Sequence, residues 1–385
     1  MSRALQKLPP EARLLCELIA LPSVNPAFLP PGDARAGEAR AGDFVASVAG
    51  SAGLAVEARE VFPGRRNILA HYTPAGRIRQ RVVLAPHLDT VGSADGDDSI
   101  FEPRAQGGRV WGRGACDTKG SVAAFLTALM QMVEGTTRPQ HTEVIFVGLV
   151  DEEHGQAGSR ALVKSRFRAD LGIVGEPTCL SVITAHKGDV WARLATRGKA
   201  AHGACPDRGV NAVRLMARAV ELLEDEYAAW IARRRHPLLG RPTVNVGLIR
   251  GGTQPNIVPD RCVIEVDRRT VPGETEAAVK REMVAFLRKR GIAVSLEDVK
   301  GVPAPPLETD PGLPLVRAFM DNAGQRDARG VDYFTDAAVL ASGGTPCVVF
   351  GPGDIAQAHT AREWISIRSL ERGTALLRRF LERLP

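Results

Sequence analysis

The sequence has no C-x-x-C pair, few aromatics, no long apolar run and no block of like charge, and each absence closes a class. Six cysteines (Cys16, Cys116, Cys179, Cys205, Cys262 and Cys347) are spread singly along 385 residues. That spacing argues against a disulfide framework and against a structural zinc site. Aromatic residues make up 5% of the chain, and the net charge of +6 comes largely from scattered arginines. With no basic stripe beside stacking aromatics, no nucleic-acid partner is expected. A local cluster such as Arg233 to Arg235 reads as a solvated face. No apolar run is long enough to cross a bilayer, and the first residues lack the continuous apolar core of a signal peptide. No membrane partner and a cytoplasmic location are the expectations.

What is present is an ordinary globular composition, 44% hydrophobic and 24% charged, on a chain long enough for two domains. Helical spacing marks Pro10 to Ala20 and Ala36 to Ser51, and alternation marks strands at Leu54 to Val61 and Asn67 to Tyr72. Short apolar runs follow at Arg81 to Ala85, Val144 to Val150 and Leu171 to Pro177, with helices at Ser121 to Val133 and Ser159 to Lys164 between them. The segment between Asp89 and Arg109, rich in Gly, Asp and Pro, reads as loop. This alternation predicts an α/β domain with a mostly parallel sheet.

After His186 the texture changes. Strands at Asp189 to Thr196, Thr243 to Ile249, Cys262 to Arg268 and Ala293 to Val299 enclose helices at Asn211 to Arg233 and Glu274 to Lys289. The order βαββαβ describes a compact ferredoxin-like sandwich of its own. The first texture then returns, with helices at Pro314 to Asn322 and Asp336 to Ala341, a strand at Pro346 to Phe350 and a closing Arg-rich helix. The expected organisation is one domain, 1–186 and 301–385, interrupted by another, 187–300.

Chemistry gathers where the short strands end. Arg81 to Ala85 runs into His87 and Asp89; the central strand ends in Asp151, Glu152 and Glu153; Leu171 to Gly175 ends in Glu176. The strand at Pro346 to Phe350 leads through a Gly-rich loop to His359, and Asp117 sits in a glycine-bounded loop before a helix. In open parallel sheets ligands bind beyond the carboxyl ends of the strands, so these side chains can converge. Histidines with several carboxylates suit Zn²⁺, with Mn²⁺ or Co²⁺ as substitutes. The surplus of carboxylates points to two metals bridged by one acid, with a water between them and another acid left as base. Spacing does not decide whether Glu152 or Glu153 is that base.

Five stretches in order, HLDT at His87, GRGACDTKG at Asp117, DEEHG at Glu152, GEPT at Glu176 and AHT at His359, give the chain a family resemblance. It resembles the M20 metallopeptidases, the group of acetylornithine deacetylase, succinyl-diaminopimelate desuccinylase, aminoacylase-1 and the glutamate carboxypeptidases. The resemblance implies that His87, Asp117 and Glu176 hold one zinc and Asp117, Glu153 and His359 the other. Asp89 would orient His87, Glu152 would act as base and then acid, and a cis peptide would follow Asp117.

Further matches, AHGACPDRGVNAV, GGTQPNIVPD and DRRTVPGE, fall in the inserted segment. They imply a lid that also forms a homodimer, with His202 as an oxyanion donor lent to its own or the partner's site. Asn256 and Arg269 match positions that hold a substrate carboxylate, with Arg268 adjacent and easily confused. In this family Glu at the position of Glu176 goes with deacylases and carboxypeptidases. The implied activity is removal of an acyl group from an N-acyl amino acid, foremost N-acetylornithine. A desuccinylase, a glutamate-type carboxypeptidase or cleavage of a short peptide are the near alternatives. A catalytically silent binding relative is the rival from another class, and it predicts a missing ligand or base that the sequence does not lack.

Other signals read as structural. His71, His141, His154, His186 and His236 are expected to be surface or satisfied residues, and Cys116 and Cys205 small fillers beside the site. Gly351 to Ala356 fits a dinucleotide-binding G-x-G-x-x-A, yet no second strand follows to complete that unit.

Overall fold

A computed structural model describes residues 7–93, 97–297, 302 and 304–385. The chain forms two compact units. One comprises the chain up to Thr184 with Thr309–Arg329 and Thr335–Pro385, the other Ala185–Glu308 and Gly330–Phe334. The second unit thus takes in Gly330–Phe334, assigned from sequence to the other domain, and the expected 300/301 division lies outside the described residues.

The first unit opens with α1 (Pro10–Ile19), where Pro10 pre-sets the first turn, and α2 (Ala39–Ser51). β1 (Ala55–Phe62) and β2 (Arg65–Tyr72) pair as an antiparallel hairpin, and β3 (Gln80–Pro86) follows. The expected loop up to Arg109 is not wholly irregular. It holds a turn of 3₁₀ helix at Asp98–Phe101 and a strand, β4 (Arg104–Gln106), which pairs with β5 (Arg109–Trp111). Three-residue strands are too short to show periodicity, which is why sequence missed them. Then α3 (Lys119–Glu134), β6 (Thr142–Gly148), α4 (Ala157–Lys164), β7 (Leu171–Gly175) and the unforeseen β8 (Ile183–His186) succeed one another.

The second unit holds β9 (Gly188–Arg197), β10 (Ala201–His202), α5 (Ala212–Glu221), α6 (Ala228–Ile231), β11 (Thr243–Gly251) and β12 (Ile257–Val258). β13 (Arg261–Thr270), α7 (Glu276–Lys289) and β14 (Ser295–Glu297) follow. Its antiparallel sheet runs β11-β13-β9-β14, the ferredoxin-like order for a βαββαβ chain. Along β13, Cys262, Ile264, Val266, Arg268 and Thr270 are buried in strict alternation, so one face meets the helices. Cys262, Ile264 and Val266 share one core with Met216, Leu223 and Tyr227 and with Met283 and Leu287 of α7. The single helix expected over Asn211 to Arg233 carries a π-helical turn at Leu222–Tyr227 between α5 and α6. The strand expected to Val299 ends its described part at Glu297; Asp298 and Val299 lie outside the described residues.

β15 (Leu307–Glu308), α8 (Pro314–Asn322), β16 (Arg329–Val331), α9 (Asp336–Ser342), β17 (Cys347–Phe350), β18 (Trp364–Ser366) and α10 (Ile367–Glu382) complete the chain. β18 pairs with β5 to finish the small sheet begun by β4.

In the first unit the central sheet runs β1-β2-β6-β3-β7-β17. The pairs β6–β3, β3–β7 and β7–β17 are parallel, whereas β2–β6 is antiparallel. All residues of β6 and β7 are buried, as strands covered on both faces must be, and this explains their unbroken apolar sequences. The helix α3 is buried almost all round from Lys119 to Leu129, a core helix rather than an amphipathic one. It packs against α1 and α10, and Phe125 on α3 and Phe146 on β6 are fully buried in the same core. Burying each such side chain stabilises the fold by about 1.5–3 kcal/mol.

Register decides where chemistry can converge. Pro86 lies opposite Gly175, Gly175 opposite Phe350, and Leu84 opposite Phe146. The residues that follow β3, β6, β7 and β17 therefore leave the sheet at one edge.

Candidate metal centre

His87 is the first residue beyond β3, and Glu176 the first beyond β7. His87 Nε2 lies 3.8 Å from Glu176 Oε1 and 3.2 Å from Asp117 Oδ1. Asp117 turns its other oxygen the opposite way, with Oδ2 3.2 Å from His359 Nε2. The same nitrogen lies 3.2 Å from Glu153 Oε2. Two sets of three candidate ligands result, His87–Asp117–Glu176 and Asp117–Glu153–His359, each with donor atoms within 4.8 Å of one another. Glu152 is buried beside them and belongs to neither set.

The supports are as specific as the ligands. Asp89 is fully buried, and its Oδ1 lies 3.4 Å from His87 Nδ1, which also contacts the Asp89 carbonyl at 3.0 Å. Asp89 also accepts the backbone N–H of Glu152 at 3.0 Å and of Glu153 at 3.1 Å. Asn25 Nδ2 donates to Asp89 Oδ2 at 2.8 Å and to Asp151 Oδ1 at 3.0 Å. The Asp117–Thr118 peptide is cis, and Thr118 Oγ1 donates to the Gly175 carbonyl at 2.9 Å. His359 adopts φ of 60°, a left-handed backbone uncommon for a residue with a side chain.

Asn25, Glu363 and Asp336 escaped the sequence reading. Glu363, four residues after His359, accepts backbone N–H groups from the loop that bears Asp117. Asp336, on α9, is buried and accepts Ser159 Oγ at 2.5 Å; burial pushes its carboxyl up to about 7. Asn25 stood in a Pro-bounded loop and Asp336 at a helix start, places where such residues are common for local reasons alone.

Electrostatics shows what the site wants. Burial pushes the Glu152 and Glu176 carboxyls well above their ordinary range; His87 opposes this and neighbouring carboxylates add to it. Glu153 is pushed up to about 7, by burial first and then by Asp117. Burial also works against the charge on His87, but Asp117, Asp89, Glu176 and Glu152 outweigh it and raise that histidine well above its usual value. Hydrogen bonds to Asp117 and Glu153 raise His359 to about 10. Burial disfavours the Asp117 carboxylate too, yet His359 and His87 hold it below the usual range.

Acids and histidines this crowded need positive charge, as protons or as cations. Buried Glu153 Oε1 and Glu176 Oε1 accept no hydrogen bond. Oxygens of that kind beside imidazole nitrogens fit divalent ions of the zinc type.

The candidates in the second unit are arranged differently. His202 pairs with Ile257 across the β10–β12 ribbon, its Nδ1 accepts the Ala204 N–H at 3.1 Å, and Gly203 N donates to the Asn256 carbonyl at 2.7 Å. Arg268 and Arg269 separate cleanly. Arg268 is fully buried and held by Glu274 at 2.6 Å, whereas Arg269 is partly exposed and forked onto Asp267 at 2.9 Å through both Nε and Nη2. His186 is buried, with Nδ1 on the Lys187 carbonyl at 2.8 Å and Nε2 without a hydrogen bond.

The apparent dinucleotide fingerprint has a packing explanation. A Cβ on Gly351 would stand 2.5 Å from the Glu176 carbonyl oxygen and collide with Ser121 Oγ; one on Gly353 would stand 2.5 Å from Cys116 Sγ. These glycines let the loop before His359 close onto the segments that bear Glu176 and Asp117. Among the described residues no helix is long and apolar enough to cross a membrane.

Residues 83–383 match the model of peptidase family M20/M25/M40. Acetylornithine deacetylase from Myxococcus xanthus is 32% identical over 322 residues, covering 81% of this chain and 82% of that protein. The aminopeptidase PepT from Bacillus cereus shares the fold, with TM-score 0.76 at 21% identity and 97% of each chain covered. A dinuclear metal binding peptidase of the M20 family from Bacillus subtilis does so too, with TM-score 0.71 at 14% identity over 99% of this chain and 98% of that one. The family match, the relative and the α/β fold with its mainly parallel central sheet agree: the chain belongs to peptidase family M20/M25/M40, a family of metal-dependent hydrolases of amide and peptide bonds.

Proposed function

We propose that the protein removes the acyl group from an N-acyl amino acid, with N-acetylornithine the foremost substrate. The observation that carries this reading is the Asp117 carboxylate, whose two oxygens face His87 and His359 from two separate loops at 3.2 Å each. In this reading His87, Asp117 and Glu176 hold one Zn²⁺ and Asp117, Glu153 and His359 the other. Co²⁺ or Mn²⁺ are admissible substitutes because the donor set is imidazole and carboxylate. When bound, the ions polarise a carbonyl and lower the pKa of a water.

Glu152 then receives a proton from the attacking water and passes it to the departing amine. Glu152 is buried beside the two sets and belongs to neither, which leaves its carboxylate free for that transfer. Asp89 fixes the His87 ring and both N–H groups of Glu152 and Glu153. Residues 187–300 act as lid and dimerisation domain, with His202 donating to the oxyanion in its own or the partner subunit. Asn256 and Arg269 hold the carboxylate end of the substrate, for which a guanidinium fork is suited. The compartment proposed is the cytoplasm. Similarity to an acetylornithine deacetylase supports the choice of substrate.

The test is amine release, with and without chelator and with added Zn²⁺. The panel is N-acetyl-ornithine, N-succinyl-diaminopimelate, other N-acetyl amino acids and a peptide ending in glutamate. Chelator-sensitive turnover of N-acetyl-ornithine is expected. Turnover of the succinyl compound or the peptide alone would move the assignment within the family. Silence across the panel in protein that binds no metal would favour a binding role.

A further inference from the structure

The loop Gly112–Thr118, which presents Asp117, has little backbone pairing of its own. Ala115 N reaches the Gly112 carbonyl and Arg113 N the Ile100 carbonyl, but Gly114, Cys116 and Asp117 direct their N–H groups at one side chain. That side chain is Glu363, which is 3% exposed. Its Oε1 accepts Cys116 N at 2.8 Å and Asp117 N at 2.9 Å; its Oε2 accepts Gly114 N at 2.9 Å and Arg113 Nη1 at 2.8 Å. The Glu363 carbonyl takes the Gly112 N–H at 3.0 Å. Arg113 is equally buried and uses its other contacts to hold the Thr360 carbonyl at 3.2 Å and the Gly92 carbonyl at 3.1 Å.

We infer that Glu363 is a positioning residue for both ligand sets at once. It lies four residues beyond His359, and its carboxylate fixes the backbone of the one acid that the two sets share. A buried carboxylate accepting several charge-assisted bonds is a rigid template, because each bond lost would strand a buried donor. Arg113 supplies the compensating charge and ties the same carboxylate back to the segment that carries His359. The Asp117 loop and the His359 loop are thereby one construction, and the placing of the Asp117 carboxylate between His87 and His359 is set by it. This inference rests on the reading of these residues as metal ligands.

Its consequence differs from that of losing a ligand. Removing His359 takes away one member of one set; loosening Glu363 misplaces Asp117 in both. In Glu363→Gln one acceptor oxygen becomes an amide N–H₂ aimed at backbone donors, with little change in volume. Arg113→Lys keeps the charge but loses the fork, and serves if the first variant does not fold.

The experiment is Co²⁺ titration of the metal-free protein, by chelator competition and by the visible absorption of the bound ion, together with a thermal melt of the metal-free form. For Glu363→Gln both Co²⁺ ions should bind about 10–100-fold more weakly, with an altered absorption spectrum. Arg113→Lys should move both ions in the same direction by less. Wild-type affinity and spectrum in a folded variant, with only a lowered melting temperature, would overturn the inference and leave Glu363 a fold-stabilising residue. Weakening confined to one ion would overturn it as well. If the unaltered protein bound no pair of Co²⁺ ions, the metal reading itself would fail, an outcome distinct from either.

Discussion

His359 Nε2 stands 3.2 Å from Asp117 Oδ2, although 242 positions separate the two residues and His359 is the only half-exposed member of the cluster. A ligand from an exposed loop in a left-handed backbone conformation can be removed with little damage to the core. His359→Ala is therefore expected to fold, to bind one divalent ion per chain in place of two, and to lose most turnover. Elemental analysis of the purified variant checks this; two ions retained would remove His359 from the ligand set.

Asp89 makes a second, sharper prediction. Its carboxylate is the meeting point of His87, Asn25 and the N–H groups of Glu152 and Glu153. Asp89→Asn puts an N–H₂ where an acceptor is needed. One backbone donor is left unpaired in the core, at a cost of about 1–3 kcal/mol. Metal affinity should fall about 10–100-fold because the His87 ring loses its orienting charge. Chelator competition and a denaturant melt read the two effects separately, and an unchanged affinity would reduce Asp89 to a packing role.

His186 sets an expectation for pH. Burial pushes it down from 6.5 to about 4, so the folded protein holds it neutral while the unfolded chain takes up a proton. The unfolded state then binds more protons between those values, and stability must fall as pH drops from about 6.5 towards 4. Above pH 6.5 this contribution is complete. In His186→Gln that part of the acid-side loss should disappear, in urea melts taken between pH 4 and pH 7. A slope identical to that of the unaltered protein would contradict the assignment.

Much of this architecture was legible because the parallel strands are buried on both faces and therefore write themselves as apolar runs such as Val144 to Val150. Asp151 to Glu153 stood out because three acids clustered where a buried strand leaves the core need a cation or a proton between them. The groups His87–Asp117–Glu176 and Asp117–Glu153–His359 stand close enough together to hold a metal, and the peptide after Asp117 is cis as the resemblance implied. What escaped was of two kinds. The strands β4, β8 and β18 are too short to carry a period, and the π-helical turn at Leu222–Tyr227 leaves an amphipathic pattern outwardly intact. Asn25, Asp336 and Glu363 act through long-range hydrogen bonds, and a hydrogen bond across many residues leaves no mark in local spacing.

Glu152 carries the central claim, because it alone of the buried acids at the strand ends is asked to move a proton rather than to bind. The most direct measurement is turnover of N-acetyl-ornithine alongside bound metal in Glu152→Gln. Two ions retained per chain with a rate lowered about 10²–10⁴-fold is the predicted result. Turnover at the rate of the unaltered protein, with the metal still in place, would contradict it.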